Sequence, residues 1–135
     1  MVVDTVVKEQ LTDAMIEVGE LLTKKLDDIG FPIRIALWLY LPDRNQWRLY
    51  FESPDIPITG PRMVFEQIEK ARNLLGEQGE IVPLSMISLL NQREELFQLL
   101  LSAVRTNKTM SRIRFSRNVI NGHYIDDALI YRNAA

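Results

Sequence analysis

Two neighbouring segments of the chain have the pattern of β-strands that are apolar on both faces. Residues 33–41 are β-branched, aromatic and nearly continuous, and residues 46–52 resume a strand after a four-residue turn cluster of Pro, Asp, Arg and Asn. If these four residues form the loop, Tyr40 lies opposite Trp47. Because an apolar face must be buried, the pair predicts a covering layer on each side of the sheet.

The aromatic side chains of this strand pair fall on one face. Such a face is typical of an anchor for a protein partner, and it is equally typical of a core beneath the first helix. Both interpretations stay open on the sequence alone. The first predicts a homodimer or another protein partner, held through the residues Trp38, Tyr40, Trp47 and Phe51.

The remaining helices and strands are predicted from the periodicity of apolar residues and from the capping and turn residues between them. Apolar residues at three- and four-residue steps predict helices over residues 4–29, from Pro61 to Gly76, and from an N-cap at Asn91 to about residue 106. Residues 84–89 predict a short strand. The order is αββαβαββ, which indicates a single α+β domain over residues 1–135, with helices packed on a mostly antiparallel sheet of about five strands.

The last two strands carry the clearest local signal. Asn121-Gly122 between two alternating runs predicts a two-residue type I′ turn, since both turn positions need a positive φ. This turn sets the register of the flanking strands. The opposite pairs that it predicts are Ile120 with His123, Val119 with Tyr124, Asn118 with Ile125, Arg117 with Asp126, Ser116 with Asp127, Phe115 with Ala128, Arg114 with Leu129, Ile113 with Ile130 and Arg112 with Tyr131.

Strict alternation divides this hairpin into two faces and places Asp126 and Asp127 on opposite ones. One face is predicted to be core and to contain an ion pair between Arg117 and Asp126. That pair is either a buried charged site or, as we favour, a structural pair that fixes the register. The apolar residues of this face are Ile113, Phe115, Val119, Tyr124, Ala128 and Ile130.

The second face is rich in polar side chains of the types that bind phosphate or transfer protons. Its alternative is a solvent-facing surface on which Arg114 pairs diagonally with Asp127, within the reach of an arginine. The candidates for ligand or phosphate contact are Arg112, Arg114, Asn118, His123 and Asp127, with Ser116 and Tyr131 beside them.

Recognisable catalytic motifs are absent. The chain has no cysteine and one histidine, and it contains neither a phosphate-binding loop nor a Gly-x-Ser-x-Gly elbow. We therefore expect no enzyme activity, metal or cofactor. A weaker alternative is a hydrolytic or acid–base enzyme, with His123 and Asp127 in a cleft completed by residues 53–61.

Charge and hydropathy indicate location and partners. The formal net charge of −2 excludes a broadly basic protein, but residues 105–118 hold five cations and no acid, which allows a nucleic-acid-associated protein that contacts phosphates. No apolar run approaches the length that spans a bilayer, and no signal-peptide pattern opens the chain, so a cytoplasmic location is expected. The five cations are Arg105, Lys108, Arg112, Arg114 and Arg117.

Several short segments resemble a small uncharacterised bacterial protein family of unknown function. They are 36–38 (ALW), 60–62 (GPR), 113–118 (IRFSRN), 120–122 (ING) and 130–132 (IYR). The likeness spans residues from about 33 to 132, and it implies a bacterial, cytosolic protein without assigning a catalytic residue. Together these observations favour a non-catalytic cytosolic binding or assembly module that forms a homodimer.

Overall fold

The computed structural model describes residues 7–91, 93–120 and 122–134, and its elements confirm the α+β class. Three of the connections contain 3₁₀ turns, at Pro42–Arg44, Gly76–Ile81 and Leu84–Met86. The helices and strands are α1 (Asp13–Asp28), β1 (Ile35–Leu41), β2 (Gln46–Glu52), α2 (Ile56–Thr59), α3 (Pro61–Leu74), β3 (Ile87–Leu89), α4 (Glu95–Ala103), β4 (Ile113–Ile120) and β5 (His123–Asn133).

The five strands form one mixed sheet in the order β3-β2-β1-β5-β4. The pair β2–β3 is parallel, and the other three neighbouring pairs are antiparallel. The predicted register of the first hairpin is confirmed, with Tyr40 opposite Trp47 and Trp38 opposite Leu49. Among the described residues, none of the helices combines the length and the apolar character needed to cross a membrane.

The first helix is shorter than predicted. It begins at Asp13, because the Thr12 Oγ1 accepts a hydrogen bond from the Met15 N–H at 3.1 Å and caps the helix. Residues 7–11 are not helical. The side chains of Asn45 and Trp47, in the first hairpin, bind the backbone of residues 7 and 9 instead. The apolar periodicity of residues 4–29 gives no indication of these long-range contacts.

The last helix is also shorter than predicted. It begins at Glu95, while the Asn91 side chain accepts a hydrogen bond from the Arg93 N–H in a turn that precedes the helix. Its end comes at Ala103 instead of residue 106, because the following segment bonds to the end of β5: the Thr106 N–H donates to the Asn133 carbonyl at 3.0 Å.

Both faces of the sheet are covered, as the two-sided strand pair predicts. The helices α1 and α3 cover the aromatic face, and α4 covers part of the other. The aromatic cluster is therefore core, and the prediction that it forms a partner interface is wrong. The exposed fractions of its members are 0% for Trp38, 6% for Tyr40, 1% for Trp47 and 0% for Phe51.

The predicted register of the last hairpin is confirmed at seven of the nine pairs, from Ile120 opposite His123 to Ile113 opposite Ile130. The pair of Arg117 with Asp126 is not formed as a ladder pair. Arg117 has a φ of +48°, in the left-handed region, and its side chain is exposed. Gly122 has a φ of +84°, while Asn121, the other residue of the predicted turn, lies outside the described residues.

Strand alternation breaks at this point of the hairpin. Ile125 is buried in the same cluster as Ala128 and Ile130, although residues 125 and 128 would face opposite sides of a regular strand. The tip of the hairpin consequently turns its predicted core residues outward: Val119 is 64% exposed and Tyr124 58% exposed. The predicted core face is thus correct near α4 and wrong beyond the break.

Candidate functional site

A cleft opens on the sheet face that α4 covers only in part. With nine residues, α4 packs against one end of this face, and the other end borders a cavity of about 510 Å³ between the β1–β2 turn and β5. This volume lies within the range of small-molecule sites. The polar and aromatic side chains of its lining include Asp43, Arg44, Arg48, Tyr50, Ser88, Tyr124 and Asp126.

Arg48 is the half-buried cation of this cleft. Its Nε donates a hydrogen bond to the Ser88 Oγ at 2.8 Å, and its Nη2 donates to the Ile87 carbonyl at 3.4 Å. Arg44 lines the same cleft from the turn. Among the described residues, neither arginine pairs with a carboxylate. Neutral acceptors orient Arg48 without compensating its charge.

Tyr50 and Tyr124, two of the three tyrosines in the described lining, supply apolar walls to the cleft. The Tyr50 ring packs against Phe97 of α4, with centroids 5.0 Å apart and an interplanar angle of 59°. Burial raises the pKa of the Tyr50 hydroxyl, which is protonated at neutral pH and can donate a hydrogen bond. The largely exposed Tyr124 lines the cleft from β5.

Asp126 lies in the wall of the cleft but does not pair with Arg117. Its Oδ1 accepts a hydrogen bond from the Lys8 Nζ at 2.8 Å, and the same ammonium group lies 3.1 Å from the Asp127 Oδ2. The predicted ion pair between Arg117 and Asp126 is therefore wrong. Asp126 pairs instead with Lys8, which lies more than a hundred positions away in the chain. A local strand pattern cannot reveal such a contact.

Asp127 is the most heavily bonded carboxylate of this region. Arg114 binds both of its oxygens, at 2.6 and 2.7 Å, and the Ser116 Oγ donates to it at 2.9 Å. Burial alone would raise its pKa, but the hydrogen bonds from Arg114, Ser116 and Lys8 outweigh burial and lower the pKa from an ordinary 3.8 to about 2. The diagonal pairing of Arg114 with Asp127 is confirmed.

The predicted polar face does not assemble into one site. It faces α1 and residues 7–11, and Tyr131 is fully buried with its hydroxyl donating to the Ile16 carbonyl. Asn118 is exposed near the hairpin tip, and the His123 Nε2 lies 3.5 Å from a carboxylate oxygen of Glu95. The interpretation of this face as a solvent-facing surface is wrong for Asp127 and Tyr131.

The weaker enzyme hypothesis also needs correction. Residues 53–61 border a different cleft, of about 530 Å³, which lies beside the ion pair of Arg34 with Glu52. Neither His123 nor Asp127 lines it. The predicted cleft, in which residues 53–61 would enclose His123 and Asp127, is therefore not formed.

The basic segment 105–118 is partly neutralised. Arg112 binds Glu17 and Glu20 of α1 at 2.8 and 2.5 Å, and Arg114 is bound to Asp127. In the described part of the chain, its other three cations have no ion pair and are exposed: Arg105, Lys108 and Arg117. Contact with nucleic acid stays a prediction, and it now depends on these three side chains.

Sequence reasoning did not find the cleft around Arg48. One signal was present in the sequence. Arg48 and Tyr50 alternate with Trp47 and Leu49, so their side chains point to the face opposite the aromatic one, which the sequence predicts to be buried as well. Because an arginine is rarely buried without a charged partner, its presence in the middle of this strand indicates that the covering layer of helices is incomplete at this point.

Comparison of the chain with protein-family models, with curated proteins and with solved structures finds no match. The resemblance to a small bacterial family stays a prediction.

Proposed function

We propose that the protein is a non-catalytic binding module of the cytoplasm, whose cleft beside α4 takes a small anionic ligand with a flat apolar part. One observation carries the proposal: Arg48 lies half-buried in the cleft and is oriented by a hydroxyl and a carbonyl instead of a carboxylate.

The partial burial of the Arg48 guanidinium favours the binding of an anionic ligand. A charged group that is partly removed from water loses hydration, and an opposite charge compensates the loss. A carboxylate, sulfonate or phosphate bound to a guanidinium forms charge-assisted hydrogen bonds, which are about twice as strong as neutral ones. The second guanidinium, Arg44, lines the same cleft and adds attraction.

The charge balance of the cleft also supports an anionic ligand. Its two carboxylates are Asp43 and Asp126, and the latter is already bound to Lys8. The charged groups of the lining are therefore two cations, Arg44 and Arg48, and two acids, and Lys8 from outside the cleft offsets part of the charge of Asp126. The rings of Tyr50 and Tyr124 can contact a flat apolar group, which distinguishes the expected ligand from a free inorganic anion.

The absence of catalysis remains part of the proposal. The described lining of the cleft contains no histidine, and one of its two acids, Asp126, is bound to Lys8, which favours a binding role over proton transfer. The expected homodimer stays a prediction, but the aromatic face that suggested it is buried inside the fold.

The test is a fluorescence titration with 1-anilino-8-naphthalenesulfonate, a probe that is both anionic and aromatic. Arg48→Ala is expected to weaken binding by about tenfold or more, because a hydrogen bond to a charged group contributes roughly 1.5–3 kcal/mol. The matched control is Arg62→Ala, which removes the same charge from a side chain of α3 that is 92% exposed. Equal affinities of the two variants would contradict the proposal.

A further inference from the structure

Residues 7–9 lie on the sheet in the manner of a bound peptide. The Asn45 side chain binds their backbone twice: its Oδ1 accepts from the Glu9 N–H at 2.7 Å, and its Nδ2 donates to the Val7 carbonyl at 2.9 Å. The Trp47 Nε1 donates to the Glu9 carbonyl at 2.9 Å. Two side chains of the first hairpin thus recognise the backbone of a three-residue segment that is neither helix nor strand.

The central residue of this segment, Lys8, enters a cage of acids and aromatic rings. Its Nζ lies 2.8 Å from Asp126 and 3.1 Å from Asp127. It also lies 4.5 Å from the centroid of the Tyr40 ring and 5.8 Å from that of Trp47, both within the range of cation–π attraction. The cage combines the two kinds of group that bind an ammonium ion.

The walls of the cage are held by the sheet and are more buried than its occupant. Arg114 and Ser116 hold the Asp127 carboxylate, and the Tyr40 hydroxyl donates to the Asn45 Oδ1 at 2.6 Å, so the recognising groups orient one another. The Asp127 side chain is 9% exposed, but that of Lys8 is 45% exposed. A preformed receptor around a half-exposed ligand can release that ligand at low cost to its own structure.

We propose that this surface is a recognition site for a short peptide segment with lysine at its centre. The chain fills the site with its own residues 7–9, and a lysine-bearing segment of another polypeptide binds in their place when they are released. Because residues 7–9 are tethered, their effective concentration is high and the intact chain favours its own segment. This site shares Tyr40 and Asp126 with the lining of the anion cleft, but the proposal does not depend on anion binding there.

The experiment frees the site in the full-length chain with the triple substitution Val7→Gly, Lys8→Ser and Glu9→Gly. The probe is the peptide acetyl-Val-Lys-Glu-amide, the comparison peptide has alanine in place of lysine, and the readout is the NMR resonance of the Trp47 indole N–H. We expect a saturable shift, at a half-saturating concentration at least about tenfold lower for the lysine peptide. The unsubstituted chain is expected to bind it more weakly.

Two further variants complete the test. Lys8→Ala leaves the backbone contacts in place and keeps the experiment interpretable if the triple variant does not fold; it too is expected to bind the lysine peptide better than the unsubstituted chain does. Adding Asn45→Ala to either variant removes two of the three hydrogen bonds to the peptide backbone and is expected to weaken binding by about tenfold or more. Equal shifts with both peptides, or no shift in the freed chain, would overturn the proposal.

Discussion

Asp126 and Asp127 are consecutive residues of β5, and both of their carboxylates bind the ammonium group of Lys8, at 2.8 and 3.1 Å. A regular strand would direct them to opposite faces of the sheet. They converge beside Arg117, whose backbone adopts a left-handed conformation. The irregularity turns a predicted structural ion pair into a cage for a lysine, and it exposes the tip of the hairpin.

Asp127 makes the stability of the fold sensitive to acid. Because its pKa is about 2 when folded and near 3.8 when unfolded, its contribution is fully present above about pH 4 and is lost as the pH falls toward 2. The shift corresponds to roughly 2 kcal/mol of unfolding free energy. Urea unfolding between pH 2 and 6 is expected to show this loss, and Asp127→Asn to flatten it; the exposed Asp28→Asn should leave the profile unchanged.

Arg112 is expected to contribute more to stability than Arg117, whereas the ion pair predicted between Arg117 and Asp126 would give Arg117 the larger contribution. Arg112→Ala removes an exposed double ion pair with α1 and should lower the free energy of unfolding by up to about 1 kcal/mol. Arg117→Ala removes no ion pair among the described residues and should change it less. Arg117→Gly should raise it by up to about 1 kcal/mol, because glycine adopts a positive φ without strain. Thermal denaturation of the three variants checks the order, and a larger loss in Arg117→Ala would restore the buried-pair interpretation.

Gly19 is expected to be intolerant of alanine. Within a helix this change usually stabilises by about 1 kcal/mol. At residue 19 a Cβ would lie 2.5 Å from the Tyr131 hydroxyl oxygen and 2.8 Å from the Trp38 Nε1, where these two groups are hydrogen-bonded beneath α1. Gly19→Ala should therefore lower the free energy of unfolding by about 1–3 kcal/mol, the usual cost of overpacking. An increase in the melting temperature would show that α1 does not approach the sheet so closely.

Lys8 is expected to influence anion binding in the cleft although it does not line it. Lys8→Ala leaves Asp126, which does line the cleft, without its counter-charge, and the exposed negative charge opposes an anion. We expect the affinity for 1-anilino-8-naphthalenesulfonate to fall by about two- to fivefold at low ionic strength. Lys24→Ala, a change of an exposed lysine on α1, should have no such effect, and equal losses in the two variants would indicate a general charge effect.

Much of the fold could be predicted because its signals are local. The alternating runs around Asn121-Gly122 give the register of β4 with β5, and the turn cluster after residue 41 gives that of β1 with β2. The positions of Lys8 and Arg48 could not be predicted in this way. The first depends on a contact between the two ends of the chain, and the second on how far a nine-residue helix reaches across the sheet.

The assignment of faces shows the same limit. Alternation is a property of a regular strand, and one residue in the left-handed region interrupts it. Because arginine rarely adopts that conformation, the sequence contains no signal for the break at Arg117. Ile113 and Phe115, which precede it, lie on the predicted face, whereas Val119, which follows it, is exposed.

The most direct test of the anion cleft is an NMR titration that locates the bound probe. The backbone amides of the ¹⁵N-labelled chain are followed while 1-anilino-8-naphthalenesulfonate is added at low salt. The predicted result is a saturable set of shifts centred on Arg48, Ser88 and Tyr124, which disappears in Arg48→Ala. Shifts centred on residues 105–118, or shifts that persist in Arg48→Ala, would contradict the proposed cleft, and the former would favour the basic segment as the anion-binding surface.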